Sequence, residues 1–156
     1  MCSSHYLGHT SRARQAAPTE ITLDQLVITG ERRTPLYLAP GVTHTTLSNS
    51  ELNGEAVAAA VYLDAESAFN TLRDNFIHTT RYKAHWYSSP RELISVDCSS
   101  YNAIINNRFS ALSSGGIYLY RNCGLKGVVR HARPYGNQII NNVFYYKSYS
   151  GLKPAV

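Results

Sequence analysis

The chain has 156 residues, a hydrophobic share of 44%, and 15 Lys and Arg against 10 Asp and Glu, for a net charge of +5. That length lets one domain bury a real core, and the apolar share is ordinary for a globular protein. No apolar run is long enough to cross a bilayer as a helix, so no membrane partner is expected. The mild basic excess favours polyanionic partners, uronate polysaccharide or nucleic acid, but is weak evidence; acidic polysaccharide is the expected partner and nucleic acid is not.

The first fifteen residues, MCSSHYLGHTSRARQ, contain no apolar stretch of the kind a signal peptide needs. Residues 1–20 are expected to form an N-terminal extension or a truncated cap. On that reading the chain stays inside the cell or is a processed piece of a longer one. An apolar pattern then begins with LDQLVI (Leu23–Ile28) and returns as TTLSNSEL (Thr45–Leu52) and NTLRDNFI (Asn70–Ile77). It recurs as NAIINNRF (Asn102–Phe109) and NQIINNVF (Asn137–Phe144), which share Asn-x-Ile-Ile-Asn-Asn-x-Phe.

A second motif alternates with the first: TPLYLAPG (Thr34–Gly41), AAVYLDAE (Ala59–Glu66), ELISVDCS (Glu92–Ser99) and GGIYLYRN (Gly115–Asn122). In each, two apolar residues stand two apart, as in Leu36/Leu38, Val61/Leu63, Ile94/Val96 and Ile117/Leu119, which is the period of a strand. Each motif returns after about 25 to 35 residues, and the connecting loops show no helical period. Short strands recurring at such an interval predict an all-β fold, a right-handed parallel β-helix of about five coils, over residues 21–146. Residues 147–156 are expected to be a C-terminal tail.

The asparagines fit stacked coils. Ser50, Asn75, Asn107 and Asn142 share one slot, and Asn49, Asp74, Asn106 and Asn141 the slot before it. Asn tolerates the left-handed backbone of a sharp turn, and its amide can bond to the same residue one coil away, so these residues are expected to be architectural.

Function is expected on the outward positions of the second motif. Stacking turns Tyr37, Tyr62, Ser95 and Tyr118 into one column, and Ala39, Asp64, Asp97 and Tyr120 into the next, with Glu66 and Arg121 just beyond. Tyrosines beside carboxylates suit a saccharide groove, because aromatic faces pack on pyranose rings and carboxylates hold cations or move protons. The plainer alternative is that tyrosine favours strands and Asp64 and Asp97 open polar turns. Two carboxylates on successive rungs repel unless a cation, an arginine or a shared proton intervenes. Calcium is the natural cation and Arg121 the alternative partner.

Two insertions interrupt the coils. Residues 78–91 carry Arg81, Lys83, His85, Trp86 and Tyr87, and residues 121–135 carry Lys126, Arg130, His131 and Arg133. Basic and aromatic side chains together suit an acidic sugar polymer, and less directly single-stranded nucleic acid. His85 and His131 are candidate general bases, and solvated loops are the alternative. Cys2, Cys98 and Cys123 lack metal-ligand spacing; Cys98 and Cys123 fall on neighbouring coils, which leaves a disulfide or idle thiols open.

These motifs resemble the pectin-lyase-like superfamily of right-handed parallel β-helices, nearest to the alginate lyase and chondroitinase B family. There, Glu-Ile-Ile-Ser-Val-Lys-Ser is followed by Asn-Asn-x-Phe and Gly-x-Leu-x-Leu-Arg. Here the matching stretches are Glu92 to Cys98, Asn106 to Phe109 and Gly115 to Tyr120. The resemblance implies a secreted, extracellular or periplasmic polysaccharide lyase acting on a uronate polymer by β-elimination. It also implies that Glu92 is a calcium ligand. The family's catalytic lysine falls on Asp97 and its catalytic arginine on Tyr120, with Arg121 one place later, so its elimination mechanism does not transfer unchanged.

Two functions are therefore expected, in this order. The first is a lyase-like protein acting on acidic polysaccharide. In it Glu92 with Asp64 or Asp97 holds calcium, Tyr120 or His85 is the base, and Arg121 positions the substrate. Tyr37, Tyr62, Tyr118, Trp86, Arg130 and His131 bind sugar. The second is a non-catalytic carbohydrate-binding or structural segment of a larger surface or tailspike-type protein. Open sheet edges at both ends of such a solenoid further suggest extra coils in a parent chain or end-to-end self-association.

Overall fold

The apolar residues of the repeats fall into vertical columns, one residue per coil. In the computed structural model, which describes residues 16–30, 33–55, 58–81, 91–111, 115–120 and 134–146, every sheet is parallel. Fourteen strands run through these residues. In chain order they are β1 (Thr22–Asp24), β2 (Val27–Gly30), β3 (Leu36–Leu38), β4 (Thr46–Ser48), β5 (Glu51–Glu55), β6 (Val61–Leu63) and β7 (Thr71–Arg73). They continue as β8 (Phe76–Arg81), β9 (Ile94–Asp97), β10 (Ala103–Ile105), β11 (Arg108–Ala111), β12 (Ile117–Tyr120), β13 (Gln138–Ile140) and β14 (Val143–Tyr146). The first sheet is β1-β4-β7-β10-β13, the second β2-β5-β8-β11-β14, and the third β3-β6-β9-β12. The chain visits them in rotation, which makes a parallel β-helix solenoid. No helix occurs among the described residues, and so none long and apolar enough to cross a membrane.

Each coil holds three strands where the sequence repeats show two motifs. The first motif splits at its Asn pair into a strand of the first sheet and a strand of the second. The reason is the left-handed residue in its middle: Gln25, Asn49, Asp74, Asn106 and Asn141 have φ between 49° and 59°. One such residue turns the chain sharply enough to change sheets.

Pairing is residue for residue except for one register shift, between Gly54 and Glu55 where β5 meets β8. Leu23, Leu47, Leu72, Ile104 and Ile139 align in the first sheet, and Ile28, Leu52, Ile77, Phe109 and Phe144 in the second. The third aligns Leu36, Val61, Ile94 and Ile117, then Leu38, Leu63, Val96 and Leu119. The central members are wholly buried and form one continuous core, with Leu23, Ile28, Ile139 and Phe144 only partly covered at the ends. The Phe109 and Phe144 rings stack within it at 4.7 Å.

Two asparagine ladders fix this register. Asn107 accepts at Oδ1 from the Asn75 N–H at 3.0 Å and from Asn75 Nδ2 at 2.9 Å, and itself donates to Asn142 at 3.1 Å and to the Leu72 carbonyl at 2.8 Å. Ser50 begins the column by donating its N–H to Asn75. The second ladder, Asn70–Asn102–Asn137, repeats the arrangement where the chain enters the first sheet. Buried backbone donors that a corner would otherwise orphan are thereby satisfied.

Candidate functional site: the outer face of the third sheet

Because side chains on a strand alternate, burying Leu36, Val61, Ile94 and Ile117 forces Tyr37, Tyr62, Ser95 and Tyr118 outward in one row. The Tyr37 and Tyr62 rings lie 5.7 Å apart, tilted by 40°. Ser95 interrupts the tyrosines with a short side chain that is fully buried. Tyr118 leans back over Gly115, where a Cβ would lie 2.3 Å from its ring. Only glycine permits that posture.

The carboxylates stand one step along. Asp97 is directly opposite Tyr120, and Leu63 opposite Val96 sets Asp64 beside Asp97. Tyrosine hydroxyls bridge diagonally between coils: Tyr37 donates to Asp64, and Tyr62 donates to Asp97 at 2.7 Å. Asp64 also accepts the Ala65 N–H at 2.7 Å. Glu92, two residues before β9, is buried and is held by its neighbour Arg91 through Nε at 3.2 Å and a terminal nitrogen at 2.9 Å; Ser95 donates to it as well.

These contacts push the acids in opposite directions. Burial holds Asp64 above its ordinary carboxyl value, against the opposing pull of the Tyr37 hydroxyl and the Ala65 amide. Burial would raise Glu92 too, but the Arg91 and Ser95 hydrogen bonds outweigh it and keep Glu92 below the usual range. Tyr120 is pushed up to about 12 by burial and by the adjacent Glu92 charge. That direction suits a hydroxyl that donates hydrogen bonds, and opposes ionisation to a base near neutral pH. Burial and Asp97 likewise raise the Tyr62 hydroxyl. Cys98 is a buried free thiol pushed up to about 12, so it is no nucleophile at neutral pH. Its suggested partner Cys123 lies outside the described residues.

The structure thus brings Tyr37, Tyr62, Tyr118, Tyr120, Asp64 and Asp97 onto one face, with Glu92 and Arg91 beside Tyr120. His85, Trp86, Arg121, Arg130 and His131 lie outside the described residues. Among the described residues no three His, Cys, Asp or Glu side chains gather as ligands, and the Glu92 and Asp64 carboxylates already take Arg91, Ser95 and Tyr37 as partners. Hydroxyls and carboxylates alternate with aromatic rings on this face, and Asp97 is half-buried, with the Tyr62 hydroxyl on one of its oxygens and the Cys98 thiol beside it.

Sequence reasoning missed Arg91 and a second outward column, His44–Phe69–Tyr101, at the corner entering the first sheet. A signal was present, since each of these residues directly precedes a slot of the second ladder: Thr45, Asn70, Asn102. No protein-family model, no curated protein and no solved structure matches this chain.

Proposed function

We propose that this β-helix is a carbohydrate-active protein that takes an acidic, uronate-containing polysaccharide across the outer face of its third sheet. The observation that carries the reading is the row Tyr37–Tyr62–Ser95–Tyr118 with its diagonal bonds to Asp64 and Asp97. Rings placed one per coil offer apolar surface to successive pyranoses, and the carboxylates accept from sugar hydroxyls. The cations needed for uronate groups come, on this reading, from the basic insertions of the sequence, Lys83, Arg121, Lys126, Arg130 and Arg133. The pectin-lyase-like resemblance supports the same substrate class.

Binding without turnover is the form best supported, because Tyr120 is held as a donor and the family's lysine position carries Asp97. A lyase-like second form rests on Asp97, the half-buried carboxylate of the row, as the group that moves a proton. Titration calorimetry with oligogalacturonate, oligomannuronate and chondroitin fragments tests the reading. The expected result is binding that weakens with salt and falls about tenfold or more in Tyr62→Ala and Tyr118→Ala. Failure of all three sugars to bind overturns it. Ultraviolet absorbance of unsaturated products from the same mixtures, abolished by Asp97→Asn, separates the lyase from the binder.

A further inference from the structure

The corners into the first sheet and between the first and second sheets share one backbone conformation and differ in what they carry. Between the first and second sheets the left-handed residues are Gln25, Asn49, Asp74, Asn106 and Asn141. Most are Asn or Asp, the residue types that accept this conformation readily. At the corner entering the first sheet the same conformation falls first on Glu20 (φ 58°) and then on rings: His44 (φ 55°), Phe69 (φ 57°) and Tyr101 (φ 56°). For bulky side chains that backbone is strained, and strained positions concentrate at functional sites.

The rings form a stack. His44 and Phe69 lie 5.3 Å apart at 10°, Phe69 and Tyr101 5.0 Å apart at 3°. Tyr101 lies over Gly136, where a Cβ would come within 2.6 Å of the ring, and Tyr135 stands across its edge at 83°. Stacking does not bury them: Phe69, Tyr101 and Tyr135 remain 49%, 47% and 64% exposed. Against them opens a hollow of about 450 Å³, also lined by Thr43, Glu66 and Cys98. That volume falls among small-ligand sites of roughly 300–1,000 Å³. Its walls come from successive coils, so it runs along the solenoid axis, one corner away from the row on the third sheet.

We propose that this hollow is a second saccharide groove, for an uncharged, extended β-1,4-linked hexopyranose chain laid parallel to the axis. The rings recur once per coil, close to the rise per sugar of such a chain, so successive sugars meet equivalent rings. The apolar edges of the sugars pack on the ring wall, with Thr43, whose hydroxyl also bonds Thr19, and Glu66 lining the hollow beside the sugar hydroxyls. No Lys or Arg stands among the described lining residues to take a uronate carboxylate, so an uncharged sugar is the better fit there. The groove stands independently of any ligand on the third sheet.

Calorimetric titration of the full chain with cellohexaose tests this, with maltohexaose, whose α-linkages curl the chain, as the control. Cellohexaose is expected to bind, and maltohexaose at least about tenfold more weakly. Tyr135→Ala and Phe69→Asn should each weaken cellohexaose about tenfold or more. Phe69→Asn should leave the thermal midpoint unchanged or raised, because Asn suits the left-handed corner. No heat with cellohexaose, equal affinity for the two sugars, or variants within about twofold of the parent chain overturns the proposal. A lowered midpoint in Phe69→Asn with binding intact would make the column a purely structural stack. Should Phe69→Asn fail to fold, the exposed Tyr135→Ala decides alone.

Discussion

Asn107 shows how much one side chain carries in a solenoid. Its amide serves the Asn75 N–H, Asn75 Nδ2, the Leu72 carbonyl and Asn142, all in a fully buried position. Asn107→Leu keeps the volume but orphans donors on one coil and an acceptor on another. At about 1–3 kcal/mol for each buried group left unpaired, it should lower stability by several kcal/mol in urea unfolding. Asp64 and Glu92 make a paired pH test. Because the folded state raises Asp64, its stabilising contribution is full at acid pH and is lost as pH rises through that raised value. Asp64→Asn should therefore melt higher than the parent chain at pH 7, with the gap closing as pH falls below about 4. Glu92 is depressed, so its contribution is present above the ordinary 4.5 and lost as pH falls through the folded value. Glu92→Gln should melt lower at pH 7 and converge with the parent on acidification.

At the scale of strands and corners, the inward columns were legible because burial enforces a period of two and leaves Leu, Ile and Val at every second position. The outward row on the third sheet was legible for the same reason, once β3, β6, β9 and β12 were superposed. The diagonal reach of Tyr37 to Asp64 and Tyr62 to Asp97 was not, since periodicity gives the column a residue stands in and says nothing of which way its ring leans. The aromatic corner stayed hidden because sequence rules put Asn or Gly, not Phe or Tyr, where φ is positive. Gly136 follows the rule in the same column, at φ 65° and under the Tyr101 ring. Gly136→Ala adds both a left-handed penalty and a clash at 2.6 Å, and should cost about 1–3 kcal/mol by thermal or urea unfolding.

Over the whole molecule, stability is a sum of rungs and of the interfaces between neighbouring rungs. The central rungs hold Leu47, Leu72, Ile104, Leu52, Ile77 and Phe109 fully buried, whereas Leu23, Ile28, Ile139 and Phe144 are only partly covered. Native-state hydrogen exchange should therefore be slowest in β7, β8, β10 and β11 and faster in β1, β2, β13 and β14, graded by coil. Uniform protection across all five rungs would contradict this additive picture. The intervals between equivalent residues, 24, 25, 32 and 35, lengthen along the chain while the pairing stays in step. The extra residues fall in the connections, which is why the repeats announced the fold while the insertions' side chains left the chemistry open.

The ladders also have a direction. The N–H groups of Ser50, Asn75 and Asn107 are each satisfied by the Oδ1 of the asparagine one coil later, at Asn75, Asn107 and Asn142. A coil leaving the ribosome thus waits for its successor, 25 to 35 residues behind, before its corner is sealed. Synthesis would drive the solenoid like a zipper closed tooth by tooth from the amino end, each turn locked only by the arrival of the next.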